Sequence, residues 1–234
     1  MTAHIPTLSI IIPALDEAEA LPRLLEQLAP ARERGAEIIV VDGGSQDDTV
    51  ALAEAGGARV VQAERGRARQ LQAGIDASSG EALWLLHADS DIDPFSDQHI
   101  VWNLAEYGRL WGWFSLRLAS TQWLLRVVAR AINVRSRLSG IATGDQGIFV
   151  LRTALARIGG LPMQPLMEDV ELCVRLRELG PPQVLLKRIT TSARHWQRRG
   201  VLRTMLLMWR LRLAYALGAD PAALAERYRA SSGR

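Results

Sequence analysis

Three carboxylates, Asp89, Asp91 and Asp93, follow directly on an apolar run at residues 83–86. The run can form a strand that is buried on both faces, whereas carboxylates are costly to bury unless they are paired or bind a cation. In an extended segment the side chains of residues i and i+2 point the same way, so Asp89 and Asp91 could reach one ion. A hard divalent cation such as Mg²⁺ takes carboxylate oxygens together with phosphate oxygens of a substrate. The alternative is a solvated acidic loop in which Asp93-Pro94 begins a turn.

The elements that position these acids alternate between short apolar strands and helical patterns. Four strands are predicted, at residues 8–12, 37–42, 58–63 and 82–87. Strands separated by single helices predict a parallel sheet with right-handed crossovers, and ligands of such sheets lie beyond the carboxyl ends of the strands. Asp16 and Asp42 also fall just past a strand, so we expect them to meet the cluster that begins with Asp89 at one edge of the sheet.

Asp42 precedes two glycines, Gly43 and Gly44. A carboxylate here could accept hydrogen bonds from a ribose or a nucleobase, while the glycines let a ligand approach the backbone. A simple turn explains the same residues equally well. The sequence has no Gly-x-Gly-x-x-Gly after the first strand and no phosphate loop with a lysine, which disfavours a dehydrogenase and a P-loop enzyme.

Further charged residues are predicted at the same edge. Arg65, Arg67 and Arg69 follow the third strand and could neutralise a diphosphate, although a solvated helix start would look the same. Glu168 and Asp169 lie at the beginning of a helix predicted over residues 165–180. The helix dipole is sufficient reason for acids there, but a carboxylate fixed at a helix start could also act as a general base.

The second half of the chain is less regular. Strands are predicted at residues 112–118, within 144–151 and at 184–193. His195-Trp196 follows the last of them, where the histidine could complete a metal site and the tryptophan could stack on a ring. Packing in the core is the alternative for both residues.

Two helices with arginine stripes are predicted, one from Trp123 onward and one over residues 201–217. The first carries Arg126 and Arg130, and the second carries Arg203. Such helices could lie on anionic lipid, or they could pack on the sheet with their arginines in solvent. The formal net charge of only +3 and the lack of a recognised module argue against nucleic-acid binding.

Length and composition favour a packed globular protein. With 234 residues and 48% hydrophobic residues, the chain can form one large domain or one domain with a helical appendage. Cys173 is the only cysteine, so no internal disulfide is possible and a reducing compartment fits. No secretory signal and no membrane span are predicted, and we expect a cytoplasmic protein, with peripheral contact at the inner face of the membrane as an option.

Six segments in order resemble the family 2 glycosyltransferases of the GT-A type. They are SIIIPALDEAEAL, IIVVDGGSQDDT, GRARQLQAG, LLHADSDIDP, GDQGIFV and MEDVELCVRL, and together they span roughly residues 8–180. The resemblance implies an α/β fold with a mixed, mostly parallel sheet flanked by helices. It places a GT-A domain at residues 1–200 and a basic helical extension at residues 201–234.

The resemblance also implies an inverting transfer of a sugar from a nucleotide-diphosphate donor to a hydroxyl acceptor, with Mg²⁺ or Mn²⁺. Asp169 is the implied catalytic base, and Asp89 and Asp91 the metal pair, with His195 as a further predicted ligand. The predicted donor-binding residues are Pro13, Asp16, Glu17, Asp42, Arg67, Arg69 and Ser90. The predicted acceptor residues are Asp145, Gln146, Glu168 and Trp196. The family usually has Asn-Glu where this chain has Asp16-Glu17, so the amide donor is lost there.

Residues 191–209 resemble a small bacterial subgroup sometimes placed near radical-SAM enzymes and in arsenosugar pathways. The segment is also similar to the Gln-x-x-Arg-Trp motif of processive members, but His195 replaces the arginine, which argues against polymer synthesis. Two other functions were weighed. A nucleotidyltransferase is disfavoured because the segment after the first strand is acidic rather than basic and glycine-rich, and a non-catalytic membrane-surface protein would use the two arginine-striped helices.

Overall fold

The computed structural model describes residues 4–193 and 200–231 of the chain. Its strands are β1 (Leu8–Ala14), β2 (Glu37–Asp42), β3 (Arg59–Gln62), β4 (Ala82–Leu85), β5 (Ser90–Asp91), β6 (Trp111–Ala119), β7 (Phe149–Leu151) and β8 (Gln183–Ser192). Its helices are α1 (Leu21–Glu33), α2 (Thr49–Ala55), α3 (Arg67–Ala77), α4 (Ser96–Tyr107), α5 (Trp123–Ser139), α6 (Arg152–Arg157), α7 (Glu168–Leu179), α8 (Val201–Ala216) and α9 (Pro221–Ser231). A short 3-10 helix covers Gly144–Gln146.

The first half of the chain forms the parallel part of the sheet. Strands β3, β2, β1 and β4 are neighbours in that order and run parallel, as the alternating pattern predicted. Ala14 at the end of β1 pairs with Asp42 at the end of β2, so the two loops that follow begin side by side. The register thereby brings the predicted nucleoside-binding segments together at one sheet edge.

The second half adds four strands in the order β7, β6, β8 and β5. Strand β7 is antiparallel to both β4 and β6, whereas β8 is parallel to β6 and antiparallel to β5. The mixed, mostly parallel sheet flanked by helices is confirmed. Within residues 144–151 the strand occupies only the last three, because the 3-10 helix and a left-handed Gly147 (φ 58°) precede it.

The core lies on both faces of the sheet. Alternate residues of β1 point to opposite sides, so Ile10 and Ile12 join one apolar cluster and Ile11 joins the other. Trp84 and Phe114 pack on the first side with ring centroids 5.4 Å apart. Trp111 and Trp113 pack on the second side, with ring centroids 5.5 Å apart. Cys173 of α7 is fully buried there, and burial raises the pKa of its thiol.

The two arginine-striped helices bury only some of their apolar side chains. Helix α5 buries Leu125 and Val128 against Leu116 of β6, but Val127 and Leu138 remain exposed. The reason is that only one narrow stripe of the helix faces the sheet.

The last two helices pack on the helix that begins at Glu168. Leu211 of α8 and Leu224 of α9 are buried with Met167 and Val170 in one cluster. The division of the chain at residue 200 stays a prediction. Among the described residues, none of the helices is long and apolar enough to cross a membrane.

Helix α3 contacts the sheet closely through Gly74. A Cβ atom added there would overlap the Cγ2 atom of Ile11 and lie 2.8 Å from that of Val41. We expect Gly74→Ala to lower the free energy of unfolding by roughly 1–3 kcal/mol because the packed core must shift to accept the methyl group. Urea titration measures this change. Asp76→Ala, at an exposed position of the same helix, is the control, and equal stability of the two variants would contradict the packing shown.

Candidate active site

The loops after β1 and β2 are joined by hydrogen bonds around two aspartates. The Asp42 side chain is 2% exposed, and its carboxylate accepts the backbone N–H groups of Gly44 and Ser45 at 3.0 and 3.2 Å. Asp16 has a left-handed backbone (φ 54°), which aspartate tolerates better than most residues. Its N–H donates to Ser45 Oγ at 2.9 Å, and its carboxylate accepts the N–H of Gln46 at 2.8 Å. The two predicted donor-binding loops therefore form one unit.

The remaining residues of this unit position it on the sheet. Pro13 is half-buried at the end of β1, and the N–H of Glu17 donates to Thr49 Oγ1 at 2.8 Å. Gln70, which the sequence did not single out, lies beneath Gly43. Its Nε2 donates to the carbonyl oxygens of Ala14 and Val41 at 2.8 and 2.9 Å. A buried amide thus ties α3 to the ends of β1 and β2.

Helix α3, which Gln70 ties to this unit, also contributes Arg67 to a cavity of about 900 Å³ whose other walls include α5 and α8. The charged and polar lining of the cavity comes from the end of β4, the start of α3, the 3-10 helix, α5, the start of α7, the end of β8, α8 and α9. The lining residues of this kind include Arg67, His87, Asp89, Arg135, Asp145 and Asp169. Of the predicted site, Arg67, Asp89, Asp145 and Asp169 are therefore brought together.

Asp169 is oriented by two backbone groups. Its Oδ2 accepts the N–H of Gly144 at 2.8 Å, and its Oδ1 accepts the N–H of Val170 at the same distance. Because α7 begins one residue earlier, the carboxylate sits at the positive end of the helix dipole. The side chain is half-buried and lines the cavity, so it can reach a bound hydroxyl group.

Glu168 does not line this cavity and pairs with Arg67. Its side chain is buried, and its Oε1 lies 3.2 Å from the Nε of Arg67. Burial raises the pKa of Glu168, the charge of Arg67 opposes that rise and the charge of Asp169 adds to it. A Cβ on Gly144 would overlap the Arg67 guanidinium, so a larger residue there would require that side chain to move. Glu168, predicted to contact the acceptor, instead positions an arginine.

The 3-10 helix presents Asp145 to the cavity and hides Gln146. Burial raises the pKa of the Asp145 carboxyl, a hydrogen bond from Thr143 opposes the rise, and the Asp169 charge adds to it. Gln146 is fully buried, and its carboxamide oxygen accepts the N–H of Thr143 at 3.0 Å and the hydroxyl of Ser136 at 2.8 Å. The structure therefore does not bring Gln146 to the acceptor position that was predicted.

Asp89 and Asp91 do not face the same way. The Asp91 carboxylate accepts hydrogen bonds of 2.6 Å from Arg23 and from Gln27, both on α1, and it does not line the cavity. Side chains two residues apart point the same way only in an extended segment, and here the backbone turns at residues 88 and 89 before β5 begins. The structure thus places the two predicted metal ligands on different surfaces.

His87, two residues before Asp89, lines the cavity instead. Its Nε2 is buried and has no hydrogen-bond partner among the described residues. Burial lowers the pKa of His87 well below its ordinary value, and the positive charge of Arg67 lowers it further. The imidazole is therefore neutral at pH 7 and can act as a ligand. A lone histidine carries no spacing signal, so the sequence alone assigns no role to His87.

Four further predicted residues lie away from the cavity or outside the described residues. Arg69 pairs with Glu64 on the surface. Ser90 is buried in β5 opposite Thr191 of β8 and does not line the cavity. His195 and Trp196 lie outside the described residues.

The glycosyl transferase family 2 model matches residues 9–129, which is more than half of the chain. The chain belongs to glycosyl transferase family 2. This span contains the loops of Asp16 and Asp42 together with His87 and Asp89, so membership covers the donor side of the site.

Individual relatives agree with this family. Glucosyl-3-phosphoglycerate synthase of Mycolicibacterium paratuberculosis is 37% identical over 98 residues, which are 41% of this chain and 29% of that protein. Undecaprenyl-phosphate 4-deoxy-4-formamido-L-arabinose transferase of Sodalis glossinidius is 30% identical over 158 residues, covering 62% and 48% of the two chains. The chain thus spans less than half the length of either curated relative.

A solved structure shows the same fold. Glucosyl-3-phosphoglycerate synthase from Mycobacterium tuberculosis, in complex with Mn²⁺, UDP and glucosyl-3-phosphoglycerate, superposes with a TM-score of 0.61 at 24% identity. The match covers 80% of this chain and 72% of that one. The predicted GT-A fold is confirmed. These similar proteins support the family and give no support to the narrower arsenosugar subgroup.

The family's divalent cation fits one corner of the cavity. Among the described residues no group of three or more His, Cys, Asp and Glu side chains is placed to hold a metal by itself. Asp89 and the unpartnered Nε2 of His87 nevertheless line the same cavity. Mg²⁺ is commonly bound by one or two protein groups together with substrate phosphates, so an incomplete protein set is what such a site needs.

This arrangement separates the roles of two aspartates. We expect Asp89→Asn to weaken the Mn²⁺-dependent binding of a nucleoside diphosphate by at least about tenfold, or 1.4 kcal/mol, because it removes a cavity-lining carboxylate. Asp91→Asn should leave that binding unchanged and cost about 1 kcal/mol of stability or less, since its pair with Arg23 is exposed. Calorimetric titration of UDP, GDP and dTDP with and without Mn²⁺ measures both effects. A metal response lost only in Asp91→Asn would refute the placement.

Proposed function

We propose that the protein is an inverting glycosyltransferase that moves a sugar from a nucleotide-diphosphate donor to a hydroxyl acceptor with the help of Mg²⁺ or Mn²⁺. The observation that carries the proposal is the single cavity that Asp89, Arg67 and Asp169 line together. Asp89 would bind the divalent cation, and the Arg67 guanidinium would neutralise the leaving diphosphate. Asp169 would accept the proton of the incoming hydroxyl. Family membership supports the same reaction class.

The donor would lie across the ends of β1 and β2 with its diphosphate directed into the cavity. Asp42 and Asp16 would accept hydrogen bonds from the nucleoside, and Pro13 and Glu17 would border it. The carboxylates of both aspartates are already oriented by backbone N–H groups, so binding requires little ordering. A divalent cation bound by Asp89 and His87 would supply charge neutralisation at the diphosphate.

The chain's own residues supply the remaining chemistry. As the acceptor oxygen bonds to the anomeric carbon, Asp169 accepts its proton. The bond between that carbon and the diphosphate breaks on the opposite face, and the electron pair stays on the diphosphate. Arg67 then offsets the negative charge that develops there. Because attack and departure occur on opposite faces, the anomeric configuration inverts.

We expect Asp169→Asn to lower the transfer rate by at least about a hundredfold, since general base catalysis typically contributes that much or more. Binding of the nucleoside diphosphate should stay within about twofold, because Asp169 is placed to meet the acceptor and not the nucleotide. The measurement is release of nucleoside diphosphate from a nucleotide sugar, alongside calorimetric binding. Glu178→Gln, at an exposed position on the same helix, is the control. Wild-type turnover in Asp169→Asn would remove Asp169 from the mechanism.

A nucleotidyltransferase remains the nearest enzymatic alternative by sheet architecture. It would release pyrophosphate from a nucleoside triphosphate, whereas the proposed reaction releases a nucleoside diphosphate from a nucleotide sugar. The acidic loop after β1 and the family match both favour sugar transfer. Measuring the released pyrophosphate and the released nucleoside diphosphate with both substrate types separates the two reactions.

Two narrower predictions accompany the proposal. The resemblance of residues 191–209 to the arsenosugar-associated subgroup stays a prediction, because the similar proteins support the family alone. The cytoplasmic location, with the enzyme on the inner face of the membrane, also stays a prediction.

We further propose that α5 and α8 contact an anionic bilayer. Both helices flank the cavity, and both leave large apolar side chains exposed between arginines. The exposed apolar residues are Val127, Val134 and Leu138 of α5 and Leu202, Leu206, Trp209, Leu213 and Leu217 of α8. Exposed arginines on the same helices include Arg126 and Arg130 on α5 and Arg203 on α8. Apolar surface bordered by cations fits an anionic lipid headgroup layer, where each arginine contributes about 1 kcal/mol.

We expect the protein to float with phosphatidylglycerol vesicles at low salt, less at high salt, and not with phosphatidylcholine vesicles, because the arginine contribution is screened by salt. Trp209→Ser should reduce flotation since it removes an aromatic side chain that is 65% exposed on α8. Trp102→Ser, which alters a tryptophan 62% exposed on α4, is the control. Absence from anionic vesicles at both salt concentrations would contradict the proposal.

A further inference from the structure

The cavity has an apolar wall that the reaction chemistry does not require. Met205, Met208 and Leu213 of α8 line it opposite the carboxylates, together with Leu206 and Trp209. A nucleotide sugar is hydrophilic, and a small polar acceptor gains nothing from thioether and aliphatic side chains. Apolar cavity walls are typical of sites that bind apolar ligand groups. The wall therefore indicates that part of the acceptor is apolar.

The apolar wall continues onto the protein surface. Leu206, Trp209 and Leu213 line the cavity and are also among the exposed large apolar side chains of the chain. An apolar chain bound in the cavity can therefore leave it along α8 while remaining in contact with apolar side chains. The site accordingly sets no upper limit on the length of that chain.

Three arginines line the same cavity: Arg135 of α5 and Arg210 and Arg212 of α8. The Nε of Arg135 and one Nη of Arg212 are buried and have no hydrogen-bond partner within the described part of the chain. None of the three forms an ion pair with another described residue. Buried guanidinium donors without partners are costly, and phosphate is the anion whose geometry they match best.

The apolar wall and the arginines together indicate an acceptor that is an amphiphile. We propose that the acceptor is a phospholipid-type molecule whose hydroxyl group meets Asp169, whose phosphate is bound by Arg135 and Arg212, and whose apolar chain lies along Met208 and Leu213. This inference rests on the proposed function, since it names the acceptor class of the same site. Arg67 stays with the donor diphosphate, and the three other arginines serve the acceptor.

The test uses the full chain and dihexanoyl phosphatidylglycerol, which carries a hydroxyl group, a phosphate and short chains and can be studied below its micelle concentration. Glycerol 3-phosphate lacks the chains, and octyl glucoside lacks the phosphate. We expect the lipid to bind at least about tenfold more tightly than either, as measured by calorimetry. Equal binding of glycerol 3-phosphate would overturn the apolar contact, and equal binding of octyl glucoside would overturn the phosphate contact.

Two variants with matched controls locate the binding. Arg212→Gln and Met208→Ser should each weaken lipid binding by about tenfold. The first removes a charge-assisted hydrogen bond to the phosphate, and the second removes apolar groups that contact the chain. Arg157→Gln and Met163→Ser alter exposed residues that neither line the cavity nor belong to α5 or α8, and they should bind normally. Unchanged binding in both Arg212→Gln and Met208→Ser would overturn the assignment.

A second measurement separates this inference from the proposed function. The Mn²⁺-dependent shift in melting temperature with UDP-, GDP- and dTDP-sugars reports donor binding alone. A donor shift without lipid binding would overturn the acceptor class and leave sugar transfer standing. Lipid binding without any donor shift would overturn sugar transfer and leave an amphiphile-binding cavity.

Discussion

The ion pair between Arg67 and Glu168 constrains the relation between the two sides of the site. Arg67 begins α3, which packs on β1 and β2, and Glu168 begins α7. Their atoms meet across Gly144, where a larger residue would displace the guanidinium. Since Glu168 is 6% exposed, loss of Arg67 would leave a buried carboxylate uncompensated. The pair therefore links the start of α3 to the start of α7, and it places a cation where the proposed donor would direct its diphosphate.

The two sides of the site are built differently. On the donor side, Asp16 and Asp42 are positioned by backbone groups of neighbouring loops, and Gln70 ties those loops to α3. On the acceptor side, the cavity is completed by α5 and α8, which are distant in sequence from the parallel strands. The donor side thus follows from a local strand-and-loop pattern shared by the family. The proposed acceptor side depends on α5 and α8. Most of these two helices lies outside the residues that the family model matches, and substrate choice can vary there.

The sequence predicted the parallel part of the sheet because strand periodicity and parallel topology are local signals. It placed Asp16, Asp42 and Asp89 at one edge from those signals alone. It predicted one shared ion for Asp89 and Asp91, but the turn at residues 88 and 89 interrupts the alternation of an extended segment, and Asp91 pairs with Arg23 and does not line the cavity. It assigned Gln146 to the acceptor because a motif gives no orientation, whereas the folded 3-10 helix directs that side chain into the core. The roles of His87 and Gln70 depend on burial, which a single sequence does not reveal.

The chain has one cysteine, and its side chain is buried in the fold. Cys173 lies inside the cluster under α7, with its Sγ 4.0 Å from the carbonyl oxygen of Ala142, and burial disfavours its thiolate. Because only the thiolate reacts readily, the native protein presents no background to maleimide reagents. A spectroscopic label on a cysteine introduced in α8 would therefore report on that helix alone.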